Sequence, residues 1–146
     1  MHGMKKEKTS ILIVPQLVTH GATATANLDC KGAGDAEIIV TLGALAGAGT
    51  APSSIKLYES DDTVVTNFAE ITALSTGAAA VGASESVRFF VDRSNGARKR
   101  YLRVAITVPS GSTNSNITLA AVGRLDNNQE DASSTSEYGS NVVKEV

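Results

Sequence analysis

The side chains able to do acid–base or nucleophilic work are few: His2, His20 and Cys30 are the only imidazoles and thiol in 146 residues. Nucleophilic catalysis needs a hydroxyl or thiol beside a base, with a third group to orient that base. Hydroxyls abound, but His20 sits between Thr19 and Gly21 in what reads as a plain turn. A zinc site needs several nitrogen or sulfur ligands at workable spacing, and Cys30 alone does not supply them. Glu59, Asp61 and Asp62 carry hard oxygens suited to calcium, yet the alternating Asp/Asn/Gly loop of an established calcium site is missing. The glycine runs Lys31 to Gly34 and Gly43 to Thr50 complete neither the dinucleotide fingerprint nor the P-loop, and read as connectors. Paired carboxylates for glycoside chemistry depend on the fold rather than on spacing. Sugar sites are normally lined with aromatics, and this chain has three Phe, three Tyr and no Trp. The residues therefore argue against an enzyme, a cofactor, a metal or a small-molecule substrate.

The elements that would position any site are short strands. Ala22, Ala24, Ala26 and Leu28 alternate with Thr23, Thr25 and Asn27, the period-two pattern of a strand with one dry face. Ser10 to Val18 is apolar but holds Pro15, which predicts an edge strand or a bulge. Asp29 to Asp35 reads as a turn, with Gly32 and Gly34 free to take positive φ. Ala36 to Leu42 is the most apolar strand and is expected to be central, and Ile55 to Ser60 follows a glycine-rich loop. Thr63 to Thr72, with Val64, Phe68 and Ile71, is assigned as a further strand. Val87, Phe89 and Val91 face one way and Arg88 and Phe90 the other. Asn95-Gly96 then predicts a tight hairpin into Lys99 to Val108. A last strand runs from Asn116 to Leu125. Seven or eight short strands predict an all-β fold, a single β-sandwich of jelly-roll or Ig-like kind with extended N- and C-terminal arms. The expected organisation is a basic arm at 1–9, the sandwich at 10–125 and a polar, acidic tail at 126–146.

A formal net charge of −2 gives no global case for nucleic acid or an anionic membrane. The apolar run Ile11 to Val14 is too short for a secretory signal core, and no run approaches the length of a membrane-spanning helix. A lone cysteine excludes an intrachain disulfide and fits folding in a reducing cytoplasm. With that compartment, Asn116-Ile117-Thr118 is a strand sequence rather than a glycosylation acceptor. Charge is nevertheless patterned. Lys5, Lys6 and Lys8 make one end basic, Arg98, Lys99 and Arg100 crowd the start of a strand, and the C-terminal stretch is acidic. Opposite blocks of this kind suit contacts between subunits, and the basic cluster equally suits the blunting of a sheet edge. In the tail the apolar residues are Tyr138 and the pair Val142 and Val143. Such a segment buries too little surface to order itself without a partner. Lys5, Lys6, Lys8, Arg98, Lys99, Arg100, Tyr138, Val142 and Val143 are thus the candidate interface residues.

Two linked segments carry a family resemblance. They are Leu28-Asp29-Cys30-Lys31-Gly32-Ala33-Gly34-Asp35-Ala36-Glu37-Ile38-Ile39-Val40-Thr41-Leu42-Gly43 and Ile55-Lys56-Leu57-Tyr58-Glu59-Ser60-Asp61-Asp62. This order of Leu-Asp-x-Lys-Gly, apolar strand ending in Gly, Gly/Ala loop and short strand ending in Glu-Ser-Asp-Asp resembles the capsid decoration, or cement, proteins of tailed bacteriophages. The resemblance extends in length and strand order over roughly residues 10 to 125. It implies a virion structural protein, made in the host cytoplasm and carried on the outer capsid surface. Its partners would be the major capsid protein and copies of itself, commonly a homotrimer at local threefold positions, with arms reaching over neighbours. The alternative of a different class is a tail or fibre adhesion module that recognises a host surface glycan or protein.

Overall fold

The computed structural model describes residues 7–45, 54–77, 84–93, 96–110 and 116–126. Among the described residues nine strands form in chain order: β1 (Lys8–Val18), β2 (Thr23–Asp29), β3 (Asp35–Leu45), β4 (Ser54–Ser60), β5 (Ala69–Glu70), β6 (Thr76–Gly77), β7 (Ser86–Asp92), β8 (Tyr101–Thr107) and β9 (Ile117–Asp126). They make two antiparallel sheets, one in the order β1-β9-β3-β7 and the other β2-β8-β4-β5, with β6 also on β4. Consecutive long strands lie on facing sheets, so β1 and β2 run beside β9 and β8 respectively. That winding is a jelly roll, which decides between the two kinds of sandwich the strand spacing allowed.

The period-two patterns place the core as expected. Ile38, Val40 and Leu42 of β3 face Leu57 of β4 and Leu102, Val104 and Ile106 of β8, all at most 1% exposed. Between the sheets the filling is aliphatic, with Phe89 the one buried aromatic ring among the described residues. The close approach implied by the small residues of β2 is met at Gly123 of β9. An added Cβ there would lie 3.0 Å from both Leu28 methyls. β3 is central, between β9 and β7. β1 is an edge strand whose register to β9 shifts between Ile11 and Ile13 and again between Ile13 and Gln16, around Pro15. It starts at Lys8, two residues before the expected boundary.

Three expectations are corrected. The segment Thr63 to Thr72 is not a strand: it forms a 3-10 turn at Val65–Asn67, the two-residue β5, and a second 3-10 turn at Thr72–Leu74. Asp62 sets this up, its Oδ1 accepting the Val64 amide at 2.9 Å and its Oδ2 the Asn67 side-chain amide at 2.8 Å. A short side chain that satisfies the local backbone competes with ladder formation. Second, β7 and β8 are not a hairpin. β7 pairs with β3 and β8 with β2 and β4, so the connection through Gly96 crosses from one sheet to the other. A turn does form, with Gly96 at φ +70° and its amide on the Arg93 carbonyl, but it opens the crossing. Third, in the turn after β2 positive φ is taken by Gly32 and not by Gly34.

Candidate functional site

Two regions gather polar and charged side chains. The first is the end of the sandwich where the 93–100 crossing passes. Arg93 turns inward there, with Nη1 donating to the carbonyls of Cys30 and of Ala33, the latter at 3.2 Å, and Nη2 to that of Lys99 at 3.1 Å. Its own amide donates to the Gly34 carbonyl at 3.0 Å. Arg98 pairs with Glu59 at 3.2 Å, Lys99 with Asp61 at 3.1 Å, and Arg100 holds Asp29 in a two-pronged bond of 2.9 and 2.7 Å. The Arg100 guanidinium, aided by the Lys31 amide and by Lys8, holds the Asp29 carboxyl below its ordinary range against a desolvation that pushes it up. Each predicted interface cation of this cluster therefore has a carboxylate partner within the chain. Their joint effect is to fasten a crossing whose two ends are tied by the backbone bonds from the Arg93 amide to Gly34 and from the Cys30 amide to Arg100.

The residues singled out for chemistry lie apart from one another. Glu59, Asp61 and Asp62 accept from different groups of the chain and do not converge, and the described residues contain no group of three potential metal ligands. Cys30 is fully buried, and desolvation pushes its thiol up to about 11, so it is a packing residue rather than a nucleophile. His20 is exposed in the β1–β2 turn, where its amide donates to the Asn116 side chain. Lys8 begins β1, half-buried. Lys5, Lys6, Tyr138, Val142 and Val143, with most of the expected arms, lie outside the described residues.

The second region is the outer face of the β1-β9-β3-β7 sheet, which sequence reasoning did not single out. Register lines up Ile11, Val122, Ile39 and Arg88 in one row across the four strands, and Thr9, Arg124, Glu37 and Phe90 in the next. Ile11, Val14, Leu17 and Phe90 are each more than half exposed. Beside them runs a chain of ion pairs: Glu7 to Arg124 at 2.6 Å, Arg124 to Glu37 at 3.2 Å and Glu37 to Arg88 at 2.8 Å. A shallow recess of about 300 Å³ lies between Glu7, Glu37, Phe90 and Arg124. The outward position of Phe90 was readable from alternation. That of Ile11 was not, because the run Ile11 to Val14 is apolar throughout and gives no period.

The opposite face, on the second sheet, carries pairs of its own beside an exposed Val65. The Arg103 guanidinium lies 3.8 Å over the Phe68 ring and donates to Asn27 at 2.8 Å, and Lys56 pairs with Glu70 at 3.0 Å.

No family model and no curated protein matches the chain. Among solved structures it is similar to the ANX2 ectodomain from Arabidopsis thaliana, at 12% identity and a TM-score of 0.35, over 77% of this chain and 32% of that one. The chain thus spans about a third of that structure, and the likeness carries no argument about function.

Proposed function

We propose that this protein is a phage virion structural protein of the decoration, or cement, type: a non-catalytic jelly roll that binds the outer surface of the capsid and reinforces contacts between major capsid subunits. The observation that carries the reading is the outer face of the β1-β9-β3-β7 sheet, where exposed Ile11, Val14, Leu17 and Phe90 lie beside the Glu7–Arg124–Glu37–Arg88 ion-pair chain. A broad, shallow surface with apolar ground and fixed charges suits a wide protein footprint. Large exposed apolar patches with a polar rim commonly mark interaction sites. The segments that resemble cement proteins supply the partner, and jelly rolls are frequent among viral structural domains. Fold alone does not decide function, so the partner rests on the resemblance.

In this reading stabilisation is linkage. A protein that binds the assembled lattice and not its free subunits lowers the free energy of the lattice by an amount set by affinity and occupancy. Copies assemble on the shell, as trimers at threefold positions in the arrangement the resemblance implies. Quantitative mass spectrometry of purified particles tests it. A copy number comparable to that of the major capsid protein is expected. A handful of copies moves the protein to the tail or fibres, and absence from particles refutes a structural role. Ile11→Glu with Phe90→Glu should lower occupancy while circular dichroism remains that of the folded sandwich; unchanged occupancy refutes this face as the footprint.

A further inference from the structure

The two sheets do not treat their edges alike. The β1 edge is interrupted by Pro15 and two register shifts, and the far edge of the second sheet is made of the two-residue strands β5 and β6. β2 packs against β1 where the sheets meet. These are the ordinary devices that stop a sheet from growing. β7 has none of them. Ser86-Val87-Arg88-Phe89-Phe90-Val91-Asp92 pairs with β3 through seven residues without a register shift, has neither Pro nor Lys, and among the described residues has no strand on its other side.

The hydrogen-bond phase of that edge is fixed by its flanks. The Leu42 amide donates to the Glu85 carbonyl and the Arg93 amide to the Gly34 carbonyl. Because ladder bonds alternate along an antiparallel pair, residues 87, 89 and 91 point their backbone groups at β3. Ser86, Arg88, Phe90 and Asp92 therefore point theirs outward, and the same four side chains lie on the exposed face.

We propose that β7 pairs antiparallel with β7 of a second copy, in the register that places Phe90 opposite Phe90 on the twofold axis. In that register Arg88 of each copy stands directly opposite Asp92 of the other, and even-numbered residues meet even-numbered ones, as the phase requires. Opposite charges facing across strands stabilise a pair, and so do facing aromatic rings. The charge pattern is self-complementary, which an isologous contact demands. Asp126, Asp35 and Asp92 stand in one row across β9, β3 and β7, and the pairing extends that row with an arginine. Arg88 keeps Glu37 and gains a second carboxylate. The contact closes as a dimer with one continuous eight-stranded sheet, and it joins the exposed faces of two copies side by side. It does not depend on what that face binds. On a lattice with threefold trimers it links neighbouring trimers, and without them it stands alone.

Sedimentation equilibrium of the full chain, up to its solubility limit, is the first measurement, with a species of twice the 15.0 kDa chain mass expected. Arg88→Asp and Asp92→Arg should each weaken association by at least about tenfold, since two symmetry-related pairs turn from opposite to like charges. Mixing the two variants restores opposite charges at both pairs and should recover the dimer as a heterodimer. Hydrogen exchange on the unaltered protein gives an independent reading. The Arg88 and Phe90 amides should gain protection as concentration rises, while those of Phe89 and Val91 are protected throughout. A single-chain mass at every concentration, a mixture no heavier than its components, or Arg88 and Phe90 amides insensitive to concentration overturns the proposal.

Discussion

Replacing Arg93 with Met asks whether the crossing between the sheets is pinned by one side chain. Arg93 makes three bonds from a charged donor to the carbonyls of Cys30, Ala33 and Lys99. Each bond of this kind contributes about 1.5 kcal/mol at the lower end of its range, or about 4–5 kcal/mol for three. The buried Arg93 Nε has no partner among the described residues, which offsets about 1–2 kcal/mol of that gain. The carbonyls are left without this donor in the variant, while methionine keeps much of the side chain's apolar volume. The expected net loss is about 2–4 kcal/mol, a large share of the stability of a domain of this size. In thermal terms that is about 4–16 °C, at roughly 2–4 °C per kcal/mol. Urea unfolding should show a lower midpoint with an unchanged slope, the sign of lost stability without a change in the surface exposed. Arg93→Lys keeps the charge but not the planar fork, so it should fall between the parent and the Met variant. A Met variant within about 0.5 kcal/mol of the parent, the range of ordinary surface substitutions, refutes the pin. So does a Lys variant as unstable as Met.

Asp29 predicts the acid behaviour. Arg100 first, then the Lys31 amide, holds its carboxyl below 3.8, so the folded state binds this proton less readily than the unfolded chain. The stability it confers is present above the unfolded value and is lost as pH falls through the folded one. Urea midpoints should decline as pH drops below about 4, and Asp29→Asn should flatten that decline; an identical slope in the variant refutes the assignment. At Gly123 an added Cβ meets both Leu28 methyls at 3.0 Å and a Leu12 methyl at 3.2 Å. Gly123→Val should therefore cost about 1–3 kcal/mol of overpacking, measured by the same titration. Gly123→Ala should cost less, because leucine methyls at the end of a side chain can yield. A Val variant as stable as the parent would show that the sheets separate freely there.

The physics of a single segment was enough to find the strands. Alternation in Ala22 to Leu28, Ser86 to Asp92 and Asn116 to Leu125 marks buried and exposed faces within each segment, and it was legible without knowing the neighbours. Pro15 announced an edge for the same reason, since a missing donor is a property of the residue. Asp62 shows the limit of that reading. Its side chain turns the next five residues away from a strand, a competition that apolar spacing at Val64, Phe68 and Ile71 concealed.

Strand partners and charge partners were decided by tertiary structure. Asn95-Gly96 between two alternating segments has the same local pattern whether the second strand returns beside the first or crosses to the facing sheet. The crossing is held by Arg93 on Cys30 and Ala33, 63 and 60 residues away. The basic run Arg98, Lys99 and Arg100 gave no hint of its carboxylates, which lie 39, 38 and 71 positions off. The edge that β7 leaves open among the described residues is likewise a property of the assembled sheet. A strand becomes an edge only when no other strand takes the place beside it, and nothing within its own seven residues can state that.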